Sequence, residues 1–271
     1  MVYKKEILMY YIDYHHHSNH SFDSKAIMME ICKEAITKGV QEICFTEHFS
    51  VNPNAPTYGH MNWPNYLADI QKCQVIYEDQ LLIKIGIELC EPHLMREQYK
   101  AVLSTIPFDY VLGSVHNLAG LTLRKYMNAH PNEDIYLAYF KEMYELVTYA
   151  DINVLAHFDL MKRYAHATRG IYTFADYQEI ISSILKMAIK RGIGLEINTS
   201  GWRTKLNESL PFLEVLKLYK ELGGEILTIG SDSHKKEDVG AGFTEALNLA
   251  NEAGFSSYYT FEKRKPIRID M

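Results

Sequence analysis

Apolar segments of this chain repeatedly end in histidine, aspartate or glutamate. The clearest case is the stretch at 13–23, which reads Asp-Tyr-His-His-His-Ser-Asn-His-Ser-Phe-Asp and follows the apolar run at 9–12. Side chains alternate faces along a strand, so Asp13, His15 and His17 share one face of the predicted strand. Two imidazoles on one face can converge on a cation, and neutral imidazole is a preferred ligand of zinc and neighbouring metals. A solvated strand end is the alternative for His-x-His taken alone.

Strand-like and helical segments alternate along the chain. Strands are predicted at 9–12, 41–46, 81–87, 110–114, 153–156, 194–198 and 225–230. Helices are predicted at 24–38, 96–106, 134–150, 174–191 and 210–222, with another beginning at Pro64. This alternation indicates a parallel sheet with right-handed crossovers, and seven or eight such units usually close into a barrel. We therefore expect an α/β barrel in one domain spanning 1–271, with a doubly wound open sheet as the alternative.

Metal-binding side chains follow six of the seven predicted strands. They are His15 and His17, His48, Glu88, His116, His157, and Asp232 with His234. The active sites of parallel α/β barrels lie at the carboxyl ends of the strands, so these groups are expected to meet on one rim. A single histidine after a strand is often solvated, and a single glutamate often caps a helix. So many ligand-type side chains on one rim have no packing rationale, and they predict a metal site.

Composition narrows the functional class. The chain has 271 residues, a formal net charge of -6 and no dense lysine or arginine stripe, so nucleic-acid binding is not expected. The stretch at 1–6 and the short apolar run behind it lack the length and cleavage site of a signal peptide, and no segment reaches the roughly 18 uninterrupted apolar residues of a membrane span. We expect a cytoplasmic protein without a membrane partner, and the oligomeric state is left open.

Covalent catalysis is not expected from this sequence. Its cysteines show no C-x-x-C spacing and are expected to be reduced core residues; they are Cys32, Cys44, Cys73 and Cys90. No cysteine is expected near the rim histidines, and the chain has no G-x-S-x-G motif.

Six separated motifs resemble, in order, those of the polymerase and histidinol phosphatase (PHP) family. They are Asp13-Tyr14-His15-His16-His17-Ser18, Thr46-Glu47-His48, Gly86-Ile87-Glu88, Gly113-Ser114-Val115-His116, Ala156-His157-Phe158-Asp159-Leu160 and Ser231-Asp232-Ser233-His234. The segments 160–163 and 196–203 resemble the histidinol-phosphatase branch. The resemblance spans nearly the whole chain. It implies a distorted TIM-like (β/α)7 barrel with a trinuclear centre of divalent transition metals, either zinc, manganese or iron.

The resemblance also implies a role for each candidate ligand. The implied sets are His15, His17 and Asp232 for a first metal, Glu88 as a bridge to a second metal on His116 and His157, and Asp23, His48 and His234 for a third. Many relatives have histidine in place of Asp23, and a carboxylate there favours iron or manganese over zinc. Asp13 is expected to orient an imidazole from outside the ligand set.

This ligand set predicts phosphoester hydrolysis. Several divalent ions held by neutral imidazoles and few carboxylates form an open, positive pocket that suits a phosphate ester. The pKa of a water that bridges two ions falls from 15.7 toward roughly 7. Such a water supplies a metal-bound hydroxide for in-line attack on phosphorus. Asp232 or His234 is expected to relay the leaving-group proton. The resemblance implies L-histidinol phosphate as the substrate, hydrolysed to L-histidinol and phosphate in histidine biosynthesis.

Substrate contacts are weaker hypotheses. Arg163 and Arg203 follow strands, where a guanidinium can hold a phosphate through two hydrogen bonds. Glu91 is expected to meet the cationic amine or imidazole of the substrate, and His20 and Ser200 are further candidates. A solvated surface side chain is the alternative for each of them.

Three other functions fit the same rim. A PHP-type phosphoesterase or nuclease acting on another substrate is one, although the net acidity disfavours a nuclease. A zinc amidohydrolase is another. Resemblance to that broader group would call for a carboxylated lysine at a strand end, and none of the predicted strand ends offers one. The third is a non-catalytic metal-binding barrel, in which the site would be closed rather than open to water and substrate.

Overall fold

The computed structural model describes residues 9–271, and the stretch at 1–6 considered above lies outside the described residues. In chain order, its first elements are β1 (Ile12–His16), α1 (Met28–Thr37), β2 (Glu42–Phe45), β3 (His48–Phe49), α2 (Trp63–Ile76), β4 (Leu82–Cys90), α3 (Arg96–Leu103), β5 (Tyr110–Ser114), β6 (Asn117–Leu118), β7 (Leu121–Thr122), α4 (Leu123–Ala129) and α5 (Ile135–Tyr149). They are followed by β8 (Val154–Leu155), α6 (Met161–Ala165), α7 (Phe174–Lys190), β9 (Gly194–Asn198), α8 (Leu213–Glu221), β10 (Leu227–Gly230), α9 (Phe243–Glu252), β11 (Ser257–Glu262) and β12 (Lys265–Asp270).

Seven parallel strands form a nearly closed barrel. Their order is β1-β2-β4-β5-β8-β9-β10, and the short β3 pairs with β4. The two ends of this order meet, because Asp232 N donates to His15 O at 2.7 Å and His17 N donates to Ser233 O at 2.9 Å. The predicted TIM-like (β/α)7 barrel is therefore confirmed, and the open-sheet alternative is wrong.

Local sequence explains where the elements begin and how they pack. The Asp134 side chain accepts a hydrogen bond from Leu137 N at 2.9 Å and caps α5, while Asn62 caps α2, which has Pro64 in its first turn. The strands β1, β5 and β9 are buried along their whole length, as expected of parallel strands covered by helices. None of the helices among residues 9–271 is long and apolar enough to cross a membrane.

The first strand lies further along the chain than predicted. It was expected at 9–12, but it runs over Ile12–His16, so part of the histidine motif is itself strand. Parallel pairing with β2 on one side and contact with β10 on the other buries these polar residues. On the face opposite His15, the Tyr14 hydroxyl donates to the buried Glu42 carboxylate and accepts from Phe261 N at 2.9 Å.

The first helix begins later than predicted because its expected start is part of a loop. Ser24 Oγ donates to His17 O at 3.2 Å and to His234 O at 3.0 Å, and Asn19 N donates to Ala26 O at 2.8 Å. These contacts tie the loop between β1 and α1 to the carboxyl rim. They also hold Asp23 beside that rim.

Several elements had no predicted counterpart, namely the β6–β7 hairpin, α4, α6, α9 and the β11–β12 hairpin. The last hairpin covers the amino end of the barrel, where Arg264 N donates to Asp109 O at 2.8 Å. The rings of Phe261 and Tyr110 lie 5.0 Å apart there. The carboxyl rim at the other end is left to loops.

Candidate metal centre

Four side chains from three strand ends form the first ligand group. His15 Nε2 and His17 Nε2 lie 3.1 Å apart, and Glu88 Oε2 lies 3.4 Å and 3.6 Å from them respectively. Asp232 Oδ1 lies 3.7 Å from His15 Nε2 and 3.4 Å from His17 Nε2. All four side chains are buried. The predicted ligands of the first metal therefore surround one common point.

Hydrogen bonds on the far side of each ring orient these two imidazoles. His15 Nδ1 lies 2.6 Å from Glu196 Oε1, and because an ionised carboxylate only accepts, Nδ1 carries the proton. His17 Nδ1 lies 3.0 Å from Ser21 Oγ, which donates its own proton to Glu47. Both Nε2 atoms therefore face the gap between the rings, where positive charge is required. Burial opposes it, but the carboxylates of Glu196, Glu88 and Asp232 raise the pKa of His15 well above its ordinary value, so this gap attracts either a proton or a metal ion.

The second ligand group shares Glu88 with the first. Glu88 Oε1 lies 2.9 Å from His157 Nε2 and 3.4 Å from His116 Nε2, and these two nitrogens are 3.2 Å apart. One carboxylate thus presents one oxygen to each group. This is the bridging position implied for Glu88 by the family resemblance.

The third ligand group is more exposed. Asp23 Oδ2 lies 3.5 Å from His48 Nε2 and 3.4 Å from His234 Nε2. The Asp23 and His234 side chains are 36% and 30% exposed, so solvent reaches this group more readily than the other two. His48 Nδ1 approaches Glu88 Oε2 to 2.6 Å without hydrogen-bond geometry, which leaves both buried atoms without a hydrogen-bond partner.

These separations fit metal coordination. Two ligand atoms at 2.0–2.1 Å from a tetrahedral zinc lie about 3.3 Å apart. Most of the ligand separations above fall within a few tenths of an ångström of that value. Unpartnered buried atoms, Nε2 lone pairs directed at each other and a shared carboxylate together show that these residues fit divalent ions.

Backbone strain occurs at two of the ligands. His157 has φ 24° and Asp232 has φ 52°, a region that residues other than glycine rarely adopt. Both follow the last residues of a strand, so the turn directs the side chain back over the barrel mouth. Gly230 allows the close packing below: a Cβ there would lie 2.3 Å from His15 Cβ and 2.4 Å from Glu196 Oε1.

Burial and charge act in opposite directions on these groups. Burial lowers the pKa of His17 well below its ordinary value, and the imidazoles of His48 and His234 lower it further. Burial also lowers the pKa of His116 to about 3, although Glu88 opposes the shift. For Glu88 itself, burial raises the pKa, but the surrounding imidazoles outweigh burial and leave it well below the ordinary value. Neutral imidazole and ionised carboxylate are the forms that bind metals. At His15 and His48 burial is outweighed by neighbouring carboxylates, which raise the pKa well above the ordinary value, so a metal must displace a proton from these two rings.

Two of the five predicted substrate contacts lie beside the ligands. Arg163 Nη2 lies 3.2 Å from Asp232 Oδ2 and donates to Ser200 Oγ, which in turn lies 3.1 Å from Asp232 Oδ2. Arg163 also lines the cavity beside the ligand groups. A guanidinium here can meet a phosphate oxygen at the same rim.

The other three predicted contacts have different partners, and none of them lines this cavity. His20 Nε2 lies 2.9 Å from Asp69 Oδ2. Glu91 is buried, and its carboxylate accepts from the backbone of His116 and Asn117, so it orders the loop after β5. Arg203 donates to Ser231 O and to Thr199 Oγ1. The structure lends no support to substrate contacts by these three.

Two further expectations are corrected. Asp13 does not orient a ligand imidazole: it accepts from Ser231 N and Gly240 N, both at 2.8 Å. The carboxylate that orients His15 is Glu196, which the sequence reading did not assign. Its signal was a charged residue in the middle of the apolar strand β9, where an unpaired carboxylate is costly.

The second correction concerns cysteine. All four cysteines are free and buried, as expected, but Cys90 lies beside the rim histidines, with Sγ 3.4 Å from His116 Nδ1. Burial raises the pKa of the Cys90 thiol to about 12, so it is protonated at neutral pH and is a poor nucleophile.

A cavity of about 330 Å³ opens over the ligand groups. Its floor includes His48, His116, His157, Asp232 and His234. Its walls combine apolar or aromatic side chains with polar ones, and include Phe22, Pro56, Thr57, Asn117, Thr122, Leu123, Arg124, Leu160 and Tyr164. Apolar surface combined with a few converging polar groups is typical of a small-molecule site.

Comparison of this chain with known proteins identifies the family to which it is similar. A family model described as the PHP domain matches residues 13–200. The chain is 30% identical over 264 residues to a histidinol-phosphatase of Lactococcus lactis subsp. lactis (strain IL1403), covering 94% of this chain and 95% of that protein. It is 36% identical over 261 residues to a probable histidinol-phosphatase of Clostridium acetobutylicum, covering 93% and 97%.

A solved structure agrees with these matches. The crystal structure of the Lactococcus lactis histidinol phosphate phosphatase, complexed with zinc, L-histidinol and phosphate, has a TM-score of 0.87 to this chain at 29% identity and covers 96% of this chain and 99% of that one. The resemblance inferred from the six motifs is confirmed. This chain belongs to the PHP family, in its histidinol-phosphatase branch.

Proposed function

We propose that this protein is a metal-dependent phosphomonoesterase that hydrolyses L-histidinol phosphate to L-histidinol and phosphate. The main support for this proposal is the pair of ligand groups that share Glu88 beneath an open cavity. The relatives named above are histidinol-phosphatases, and the Lactococcus lactis protein was crystallised with zinc, L-histidinol and phosphate. The cavity of about 330 Å³ suits a small phosphomonoester.

The proposed ligands are His15, His17, Asp23, His48, Glu88, His116, His157, Asp232 and His234. Divalent ions bound there supply positive charge for a phosphate ester and a water of lowered pKa. Other residues of the chain orient these ligands. Glu196 and Ser21 hold the rings of His15 and His17 in the tautomer with a free Nε2. Ser200 and Arg163 contact Oδ2 of Asp232, whose other oxygen, Oδ1, lies beside His15 and His17.

Substrate binding and proton transfer are assigned to the same rim. Arg163 is proposed to donate to a phosphate oxygen, since its guanidinium lines the cavity beside Asp232. Asp232 and His234 both line the cavity, and one or the other is proposed to carry the proton to the leaving alkoxide. The walls at Leu123 and Leu160 exclude water around the organic part of the substrate.

The substrate proposal is tested by comparing kcat/KM for L-histidinol phosphate and for 4-nitrophenyl phosphate under the same metal. Groups that recognise the amine and imidazole should stabilise the transition state, so a preference of at least roughly 100-fold, about 2.7 kcal/mol, is expected. An equal or higher value for the aryl phosphate would favour a general phosphoesterase. Faster cleavage of a phosphodiester would favour the nuclease alternative.

We further propose three ions per chain, either zinc, manganese or iron. The basis is the three groups of converging atoms, with Asp23 in the third. Elemental analysis of the purified protein should give more than one equivalent of transition metal per chain, lost on chelation together with activity. Asp23→Ala should lower the content by one equivalent while His60→Ala, an exposed loop change, leaves it unchanged. Full activity in chelator would refute the proposal.

The single-domain organisation over 1–271 stays a prediction. It is supported by the contact of β10 with β1, which places Asp232 and His234 beside His15 and His17. A cytoplasmic location also stays a prediction.

A further inference from the structure

The thiol of Cys90 faces the cavity but belongs to none of the three ligand groups proposed above. Cys90 follows Glu88 by two residues on β4, so the two side chains leave the same face of the strand. Cys90 is the last residue of the strand, and it lines the cavity together with His48 and His116. The thiol is therefore positioned where an ion entering the cavity can reach it.

Three soft or borderline ligand atoms converge at this point. One atom each from His48, Cys90 and His116 lie within 4.8 Å of one another. Cys90 Sγ lies 3.4 Å from His116 Nδ1, and a tetrahedral ion at 2.3 Å from sulfur and 2.0–2.1 Å from nitrogen would separate them by about 3.6 Å. His48 is only 8% exposed, and its Nδ1 has no hydrogen-bond partner, although it lies 2.6 Å from Glu88 Oε2. The cluster thus has the spacing and the unpartnered donor of a metal site.

The donor set at Cys90 differs from its neighbours in softness. One thiolate with two imidazoles favours zinc and other thiophilic ions, whereas the third group, which contains Asp23, is better suited to harder ions. We propose that Cys90, His48 and His116 form a binding site for one thiophilic divalent cation, cadmium or zinc in excess, which competes with the ions of the proposed catalytic centre for the two imidazoles. On binding, the Sγ–H bond breaks, a sulfur–metal bond forms and the proton passes to the buffer.

Competition follows because both imidazoles serve two sites. His116 Nε2 faces Glu88 and His157, while its Nδ1 faces Cys90, and His48 also approaches Asp23. A neutral imidazole has only one nitrogen lone pair, because its other nitrogen carries a proton, so a ring that binds a cation beside Cys90 is lost to the second or third ligand group. Thiophilic ions are therefore expected to inhibit hydrolysis. This consequence rests on the proposed function, whereas binding at Cys90 does not.

Binding is tested by adding Cd²⁺ to the manganese-loaded protein. Cadmium thiolates absorb in the ultraviolet, so the wild-type protein should develop a charge-transfer band that saturates at one equivalent of thiolate-bound cadmium, with release of manganese measured by elemental analysis. Cys90→Ser and Cys90→Ala should show no band, and their affinity for that equivalent should fall at least about 100-fold. Cys73→Ser, a buried thiol on α2, should keep the band and serves as the matched control.

A band that persists in both Cys90 variants, or its absence in the wild-type protein, would overturn the proposed site. Competition is measured separately as the zinc concentration that halves the activity of each protein relative to its own maximum. That concentration should be at least about 10-fold lower for wild type than for Cys90→Ser. Equal sensitivity would overturn the competition. A protein that shows the cadmium band but does not hydrolyse L-histidinol phosphate would count against the proposed function alone.

Discussion

Two buried groups of ionisable side chains follow strand β8, and they differ in where their positive charge comes from. His157 belongs to the ligand cluster, where carboxylates and imidazoles converge and where, among residues 9–271, Arg163 beside Asp232 is the one lysine or arginine that pairs with a ligand carboxylate. Two residues later, Asp159 is paired with Lys162, whose Nζ lies 3.1 Å from Asp159 Oδ2 and 4.5 Å from the centre of the Phe212 ring.

The difference lies in the source of the positive charge. The positive charge beside Asp159 comes from the chain itself, with Tyr172 donating to Asp159 Oδ2 at 3.0 Å and Glu208 accepting from Lys162 at 3.3 Å. The buried Oδ1 of Asp159 has no hydrogen-bond partner. The ligand cluster, in contrast, is complete only with external cations, as its facing Nε2 atoms show. A closed pair of this kind holds structure in place, whereas an open set of donors leaves coordination positions for water and substrate.

The largest expected effect is on the open cluster, at its shared carboxylate. Glu88→Ala removes one oxygen from each of two ligand groups, so kcat/KM should fall by at least about 10³-fold, roughly 4 kcal/mol, and metal content should fall with it. Steady-state kinetics and elemental analysis on the same sample measure both. His60→Ala, an exposed loop change, is the control. Similar rates for the two variants would rule out the bridging role.

The next largest effect is expected when the Asp159–Lys162 pair is disrupted. Lys162→Met leaves the Asp159 carboxylate buried without its cation, so the free energy of unfolding should fall by about 3 kcal/mol. Denaturant unfolding measures the change, and the bound metal should stay constant. Lys217→Met is the matched control, because its pairing with Glu252 at 3.9 Å is solvent-exposed and should contribute less than about 1 kcal/mol. If Lys162→Met lost metal without losing stability, the two clusters would not be separate.

The smallest of the three effects concerns the support behind the ligands. Glu196→Gln keeps the shape of the side chain but weakens its hold on the His15 ring, so metal affinity or activity should fall about 10- to 100-fold. Metal titration of the chelated protein measures this. Glu225→Gln, on an exposed residue before β10, is the control. An unchanged affinity in Glu196→Gln would show that His15 is oriented by packing alone.

Most of the architecture could be read from the sequence, but element boundaries were less accurate. The strands β5 and β9 occur where predicted, because continuous apolar runs mark buried parallel strands. Strand β1 and helix α1 differ from the prediction because the polar residues around them contact the loop after β10, where Ser24 Oγ bonds to His234 O across 210 residues of sequence. The terminal β11–β12 hairpin was not predicted, although the segment from Tyr258 to Phe261 is rich in strand-forming residues.

The ligands that follow the strands were determined by the sequence alone, whereas Asp23 is held at the rim by contacts of the loop before α1. Parallel strands bring their carboxyl ends to one side of a barrel, so side chains after each strand must gather there whatever the loops do. Residue type then specifies the chemistry, since imidazole and carboxylate are the ligands of divalent metals.

Only the tertiary structure decided which atoms face one another. Glu196 lies behind His15, Cys90 lies beside His116, and Glu91 turns away to the backbone, because these contacts depend on side-chain direction between strands far apart in sequence. No periodicity encodes such directions. They arise from packing across the barrel, which also explains why His20 and Arg203, both next to the motifs, end with partners outside the cavity.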